Sequence, residues 1–175
     1  YKETDTCDPI NMYGQSKRQG EQIVEQNARQ AAIVRTSWLY SSFGKNFLTT
    51  MLQLGKQGVD LKIVDNQFGA PTNANDLAKF LLLLAGKSSD DLQYFHFCNN
   101  GKTNWHDFAK AIFDVAGITD EVNLSPTDYY PTKAKRPDNS LLDNSKIANH
   151  LHTKIPDWRE SLEYWYQRDL ADGLI

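Results

Sequence analysis

The sequence predicts an α/β protein in which short apolar strands alternate with amphipathic helices. The run from Ala31 to Val34 is continuously apolar, as in strands that are fully buried within parallel sheets. Segment 73–85 places its apolar side chains at the 3.6-residue period of a helix. Segments of these two kinds alternate along the chain, and such alternation favours an α/β fold with parallel strands.

The first helix is predicted from Pro9, which suits a helical first turn, to about residue 28. One of its faces is expected to point inward, with a glycine that permits close packing, and consists of Ile10, Tyr13, Lys17, Gly20 and Val24. A later helix is predicted after Asn104, which is a suitable N-cap with Asp107 at the third helical position. We interpret its stripe of Trp105, Phe108, Ala109 and Ile112 as core.

The remaining elements follow from the same patterns. Helices are predicted at 46–54, 73–85, 144–150 and 158–169, and strands at 61–64, 94–98 and 122–124. The inner face of helix 73–85 is expected to contain Leu77, Phe80, Leu81 and Leu84. The polar segment 65–72 and the long segment 125–139 are predicted loops, and loops of the second length are often functional.

Composition excludes several classes of function. The 175 residues suffice for one domain with a real core, and the net charge of -3 gives no electrostatic basis for nucleic-acid binding. No apolar run reaches the roughly 20 residues of a membrane helix. Cys7 and Cys98 are interpreted as free thiols, so we expect a cytoplasmic protein without a membrane partner. No spacing of His, Cys and carboxylates predicts a metal site.

The most informative motif is Tyr13-Gly14-Gln15-Ser16-Lys17. It places a phenol and an ammonium four residues apart, hence on one face of the first helix. A cation beside a phenol favours the phenolate. The pair therefore suits proton exchange with a carbonyl or alcohol oxygen.

Further blocks follow this motif in a fixed order. With the motif and these blocks taken together, the chain resembles the dTDP-4-dehydrorhamnose reductase family of extended short-chain dehydrogenases/reductases. The resemblance covers nearly the whole chain and rests on Tyr13-Gly14-x-Ser16-Lys17-x-x-Gly20-Glu21, Arg35-Thr36-Ser37-Trp38-Leu39-Tyr40, Asn46-Phe47, Asp65-Asn66-Gln67-Phe68-Gly69-Ala70-Pro71-Thr72 and Ala134-Lys135-Arg136-Pro137.

The resemblance implies that residues 1–175 form the C-terminal portion of a Rossmann-like reductase, with its last sheet strands and a small substrate-binding subdomain. The family's dinucleotide-binding part, with its Gly-x-x-Gly-x-x-Gly loop, does not occur in this sequence. The Ser or Thr that completes the family's catalytic triad is expected before Tyr1. We therefore expect this stretch alone to bind cofactor weakly and not to catalyse. At one of the family's magnesium-binding acids this sequence has Asn75, which disfavours a metal.

The implied reaction reduces the C4 carbonyl of dTDP-4-dehydro-6-deoxy-L-mannose with NADPH, or with NADH. Tyr13 is expected to donate the proton and Lys17 to hold the nicotinamide ribose, so both also count as cofactor-binding. Thr36 contacts the cofactor or the substrate, or else only satisfies backbone groups at a strand end.

Four residues are candidates for binding the nucleotide-sugar substrate. The resemblance implies a substrate contact for Trp38, which is otherwise a core aromatic. Arg136 suits the diphosphate, because its guanidinium can bind phosphate in bidentate fashion, although a solvated basic loop is the alternative. Asn46 and Gln67 either bind substrate or hold loops together.

Two other functions remain open on sequence grounds. One is a different nucleotide-sugar reductase or epimerase of the same superfamily. The other is a nucleotide-binding regulatory subunit without turnover, which would have no need of both Tyr13 and Lys17. A homodimer is also left open.

Overall fold

Helices and short strands alternate along the chain in the computed structural model, which describes residues 1–87 and 91–175. The helices are α1 Met12–Asn27, α2 Phe47–Lys56, α3 Ala74–Ala85, α4 Trp105–Ala116, α5 Ser145–Leu151 and α6 Trp158–Ala171. The strands are β1 Ala31–Thr36, β2 Leu39–Tyr40, β3 Leu61–Val64, β4 Phe68–Gly69, β5 Thr72–Asn73, β6 Leu92–Phe97, β7 Thr103–Asn104 and β8 Leu124–Thr127. No helix of the described residues has the length and apolarity needed to cross a bilayer.

The strands form pairs, most of them parallel. β1 pairs with β6 from Ala31 opposite Leu92 to Thr36 opposite Phe97, and β3 pairs with β8 in the same sense. The two-residue strands β2 and β5 are also parallel, whereas β4 and β7 are antiparallel. The predicted α/β class is therefore confirmed, and the polar segments after β1 and β3 lie at carboxyl ends of parallel strands.

Apolar runs predicted β1, β3 and β6 to within two residues at either end, but the last strand and the burial of β1 need correction. The last strand runs over Leu124–Thr127 rather than 122–124, because β8 pairs residue by residue with β3. The prediction that β1 is fully buried is wrong, because Ala32 is exposed. In the described part of the chain β1 pairs with one strand, β6, so its other edge has no strand beside it.

The inward face predicted for α1 is wrong. No residue of α1 is buried, and Tyr13 is 71% exposed. Gly20 does not mediate close packing, since a Cβ there would meet nothing within 4 Å. The helix begins at Met12 rather than near Pro9, because the Asn11 side chain caps it by accepting a hydrogen bond from the Gly14 amide.

The apolar core has two parts. The first packs α2 against α4 with residues of β2, β3 and α6, including Met51, Phe108 and Leu162. The second packs α3 and α5 against β6 and includes Phe80, Phe97 and Ile147. Most predicted inner faces lie in these clusters, but Leu81 is 41% exposed and belongs to neither.

A buried carboxylate joins the elements around these two clusters. Asp76 on α3 is 4% exposed and accepts hydrogen bonds from Ser161 Oγ at 2.5 Å and Trp165 Nε1 at 2.8 Å, both on α6. It also accepts one from Asn99 Nδ2 at 2.8 Å, just after β6. Asn99 in turn accepts from the Asn73 amide of β5. Both oxygens of this buried carboxylate accept hydrogen bonds, and the three donors join α3, α6 and the residues just after β6.

We expect Asp76→Asn to lower the free energy of unfolding by about 3 kcal/mol, measured by urea denaturation. The asparagine amide keeps one acceptor oxygen, but its NH₂ group is a donor and would face side chains that need an acceptor. Hydrogen bonds to a charged group, which this variant loses, are worth about 1.5–3 kcal/mol. Asp128→Asn, at an exposed carboxylate, is the matched control and should change stability by less than about 0.5 kcal/mol. Equal effects of the two variants would contradict this role of Asp76.

Candidate active site

The Tyr–Lys pair lies on the exposed first turns of α1. Lys17 Nζ is 5.5 Å from the centre of the Tyr13 ring, so the two groups share a helix face as predicted. In the described part of the chain, the Tyr13 hydroxyl has no hydrogen-bond partner. Both groups are exposed, so a ligand can reach the hydroxyl and the ammonium together.

Charged and polar side chains attach α1 to the β1–β6 pair. Arg35 of β1 donates two hydrogen bonds to Glu21 of α1, at 2.7 and 2.8 Å, and Arg18 donates to both Glu21 and Glu25 at 2.9 Å. The Tyr94 hydroxyl of β6 donates to Glu25. Burial by itself would raise the pKa of the Glu21 carboxyl, but the hydrogen bonds from Arg35 and Arg18 outweigh it and hold that pKa below its usual value.

Trp38 leaves the end of β1 in a strained conformation. Its φ is 49°, in the left-handed region that a bulky side chain rarely adopts. Its indole stacks on that of Trp105, with ring centres 3.7 Å apart and planes 14° from parallel. On Gly69, a Cβ would lie 2.7 Å from Trp38 Cε2, so the ring can occupy this place only because residue 69 has no side chain.

All four residues predicted to bind substrate line one cavity of about 1170 Å³. These are Trp38, Asn46, Gln67 and Arg136. The sequence thus predicted residues from four separate segments that the fold brings to one place. Tyr13, Lys17 and Thr36 do not line this cavity.

Residues 128–139, called here the basic loop, form one wall of the cavity and carry Arg136. The loop is tied at both ends to the segment after β3. The Asn66 side chain donates to the Asp128 carbonyl at 2.8 Å, and the Phe68 amide donates to the Asp138 carbonyl at 2.8 Å. The Ser140 amide then donates back to Phe68. Residues of the block 65–72 therefore hold the two ends of the loop that carries Arg136.

Two of the predicted site residues have clear roles within the fold. Asn46 caps α2 in a reciprocal arrangement with Thr49, and its amide donates to the Ser41 carbonyl at 2.8 Å. Thr36 Oγ1 donates to Thr72 Oγ1 at 3.2 Å, which in turn donates to the Ser37 carbonyl. These contacts hold the loops together, and binding of ligand by Asn46, Thr36 or Gln67 stays a prediction.

The cavity combines positive charge with aromatic surface. Lys45, Lys62 and Arg136 line it, against one carboxylate, that of Asp60. The sequence reasoning missed four aromatic lining residues, Phe47, Trp105, Tyr129 and Tyr130. Two adjacent tyrosines ahead of a basic run were the available signal for the loop pair. A site with this lining suits an anion attached to a flat or apolar ring.

A second hollow, of about 380 Å³, lies near the amino-terminal ends of β1 and β6. Ala31, Gln93 and Phe95 are among its lining residues, and none of the predicted site residues is. The described residues contain no group of three or more His, Cys, Asp or Glu side chains placed to hold a metal ion.

Comparison with known proteins identifies the family of this chain. The sequence profile of the family described as RmlD substrate binding domain matches residues 1–170. The chain belongs to this family. A dTDP-4-dehydrorhamnose reductase of Salmonella typhimurium is 38% identical over 167 residues, which cover 90% of this chain and 56% of that protein. Another, of Aggregatibacter actinomycetemcomitans, is 39% identical over 173 residues, which cover 93% and 59%.

Among solved structures, the dTDP-4-dehydrorhamnose reductase of Bacillus anthracis in complex with NADP superposes with a TM-score of 0.88. It is 36% identical and the match covers 96% of this chain and 59% of that one. The family resemblance and the Rossmann-like extended reductase fold are therefore confirmed. The chain spans less than two thirds of the length of these relatives.

We expect Gly69→Ala to disturb the stacked indoles, because the new methyl group would overlap Trp38 and the Ser140 hydroxyl. Overpacking of this kind costs about 1–3 kcal/mol. Unfolding measurements should show that loss, and the exciton couplet of the indole pair in circular dichroism should weaken. Gly20→Ala is the control, since its Cβ meets no neighbour, and it should not lower stability. An unchanged couplet in Gly69→Ala would show that the glycine does not determine where Trp38 lies.

Proposed function

We propose that this chain supplies the substrate cavity and the proton donor of a dTDP-4-dehydrorhamnose reductase. The reaction reduces the C4 carbonyl of dTDP-4-dehydro-6-deoxy-L-mannose and yields dTDP-L-rhamnose. One observation carries the proposal. The cavity gathers Trp38, Gln67 and Arg136, and its basic loop touches the start of the helix that presents Tyr13. The names of the family's relatives support the choice of this substrate over other nucleotide sugars.

The Tyr13 hydroxyl donates its proton to the oxygen of the C4 carbonyl as that oxygen becomes an alkoxide. Lys17, one helical turn away, stabilises the phenolate that remains. NADPH, or NADH, supplies the hydride to C4 when it is bound. Lys17 is exposed, so its ammonium can reach the ribose hydroxyls of this cofactor, which it would hold. We assign the remaining cofactor contacts, apart from that proposed for Thr36, to a dinucleotide-binding part such as the family resemblance implies.

The cavity holds the nucleotide sugar by two kinds of contact. Arg136 binds the diphosphate, in a wall where cationic side chains outnumber the carboxylate of Asp60. The face of Trp38 that is not covered by Trp105 packs on the sugar ring. Gln67 supplies a hydrogen bond to substrate, and Asn46 chiefly shapes the wall through its cap of α2.

We also place the reaction in the cytoplasm. Cys7 and Cys98 are both free thiols, which accords with a reducing compartment. A homodimer is compatible with the proposal.

In the complete protein, with its dinucleotide-binding part, we expect Tyr13→Phe to lower kcat by about 10²- to 10⁴-fold, the usual worth of general acid catalysis. The ring is kept, so the affinity for NADPH should change little. Steady-state turnover and calorimetric titration measure the two effects. Tyr164→Phe, at an exposed tyrosine on α6, is the control. A Tyr13→Phe enzyme with half its activity would overturn the assignment, and a wild type that binds nucleotide sugar without turnover would indicate a regulatory binding subunit.

We expect Arg136→Ala to weaken binding of the nucleotide sugar by about one to two powers of ten. Charge-assisted hydrogen bonds are worth about 1.5–3 kcal/mol, and a diphosphate has the same charge in ground and transition states. KM should therefore rise while kcat stays nearly constant. Free dTDP should lose affinity in parallel. Lys133→Ala changes a cation of the same loop that does not line the cavity, and it should bind dTDP as the wild type does. Equal binding by wild type and Arg136→Ala would make Arg136 a solvated loop residue.

A further inference from the structure

The Asn11 side chain makes two hydrogen bonds in different directions. Its Oδ1 accepts from the Gly14 amide at 2.8 Å, which caps α1 two residues before Tyr13. Its Nδ2 donates to the Lys135 carbonyl at 2.9 Å, next to Arg136 in the basic loop. The bond joins residues 124 positions apart in the sequence.

Within the described residues, this bond is the hydrogen bond that ties segment 130–137, the middle of the basic loop, to the rest of the chain. The loop's ends are attached through Asn66 and Phe68. In its middle, the Thr132 hydroxyl donates to the Ala134 carbonyl, which lies within the loop itself. Without Asn11 the stretch around Arg136 would keep its anchored ends and lose its hydrogen bond to α1.

We infer that Asn11 is a positioning residue that holds the Arg136 stretch of the basic loop at the N-terminus of α1. The inference rests on the proposed function. A ligand anchored at Arg136 is then kept at a fixed distance and orientation from the Tyr13 hydroxyl, because Tyr13 lies in the first turn of the same helix. Proton transfer is sensitive to such placement, since a shift of about 1 Å can cost about 10²-fold in rate.

The chemistry of the side chain supports this role. Ser, Asp and Asn cap helices about equally well, so capping alone does not require asparagine. An amide can accept from Gly14 and donate to Lys135 at the same time, whereas a carboxylate only accepts. A serine hydroxyl is too short to span both partners.

This difference gives variants that separate the two bonds. Asn11→Asp and Asn11→Ser keep the cap and lose the bond to the loop, and Asn11→Ala loses both. In the complete protein we expect Asn11→Asp and Asn11→Ser each to lower kcat/KM about 10-fold with an unchanged melting temperature. In an Arg136→Ala background the same changes should cost less than about 2-fold, because Asn11 acts through that arginine. An unchanged kcat/KM in both variants would overturn the inference, as would an equal factor in both backgrounds, which indicates a merely structural role.

Hydrogen exchange in the ligand-free protein tests the contact without turnover. Amides of residues 130–137 should exchange faster in Asn11→Asp and Asn11→Ser than in the wild type, while those of α6 stay unchanged. Equal exchange in the loop would overturn the inference. If the wild type shows no turnover on this substrate, the proposed function fails by itself, and the exchange rates still decide whether Asn11 holds the loop.

Discussion

The buried carboxylate of Asp76 is the interaction on which the arrangement of the site depends. Two apolar clusters pack separately, one around α4 and one around β6. Asp76 accepts hydrogen bonds from side chains of α6, a helix that contributes to the cluster around α4, and from Asn99 just after β6. The Asn99 side chain in turn accepts a hydrogen bond from the backbone amide of Asn73 in β5. β5 pairs with β2, and β2 begins directly after Trp38. A chain of buried hydrogen bonds thus reaches the strand that follows Trp38, whose indole also packs on that of Trp105.

The two halves of the proposed site are built by different forces. The cavity wall packs on an apolar core, where Trp38 stacks on Trp105 and Asn46 caps a helix with two buried leucines. The helix with Tyr13 has no buried residue and is attached to β1 by the ion pair of Arg35 with Glu21, while Arg18 pairs with Glu21 and Glu25 within the helix itself. Partly exposed ion pairs are individually weak and sensitive to salt, whereas two bonds from one planar guanidinium also set orientation. We infer that the Arg35–Glu21 pair matters more for the direction of α1 than for overall stability.

Local sequence patterns were sufficient for the elements that carry their own signal. The strands β1, β3 and β6 and the N-cap Asn104 follow from apolar runs and short-range hydrogen bonding. The two-residue strands have no such signal, because only their long-range partners define them. The inward face of α1 failed because helical spacing says which residues share a face and not which surface covers it. The resemblance located the four lining residues, but the bond from Asn11 to the Lys135 carbonyl depends on contacts across 124 residues.

The exposure of Tyr13 is itself consistent with a proton donor. Burial raises the pKa of Tyr40, and burial together with a hydrogen bond to Glu25 raises that of Tyr94. Both tyrosines therefore keep their protons more firmly and serve the structure. Tyr13 is 71% exposed, and the Lys17 ammonium lies 5.5 Å from the centre of its ring. For the reaction proposed above, this position leaves the Tyr13 hydroxyl open to a substrate oxygen, provided that another element holds the substrate nearby. We infer that the basic loop, tied to the cap of the same helix, takes this part.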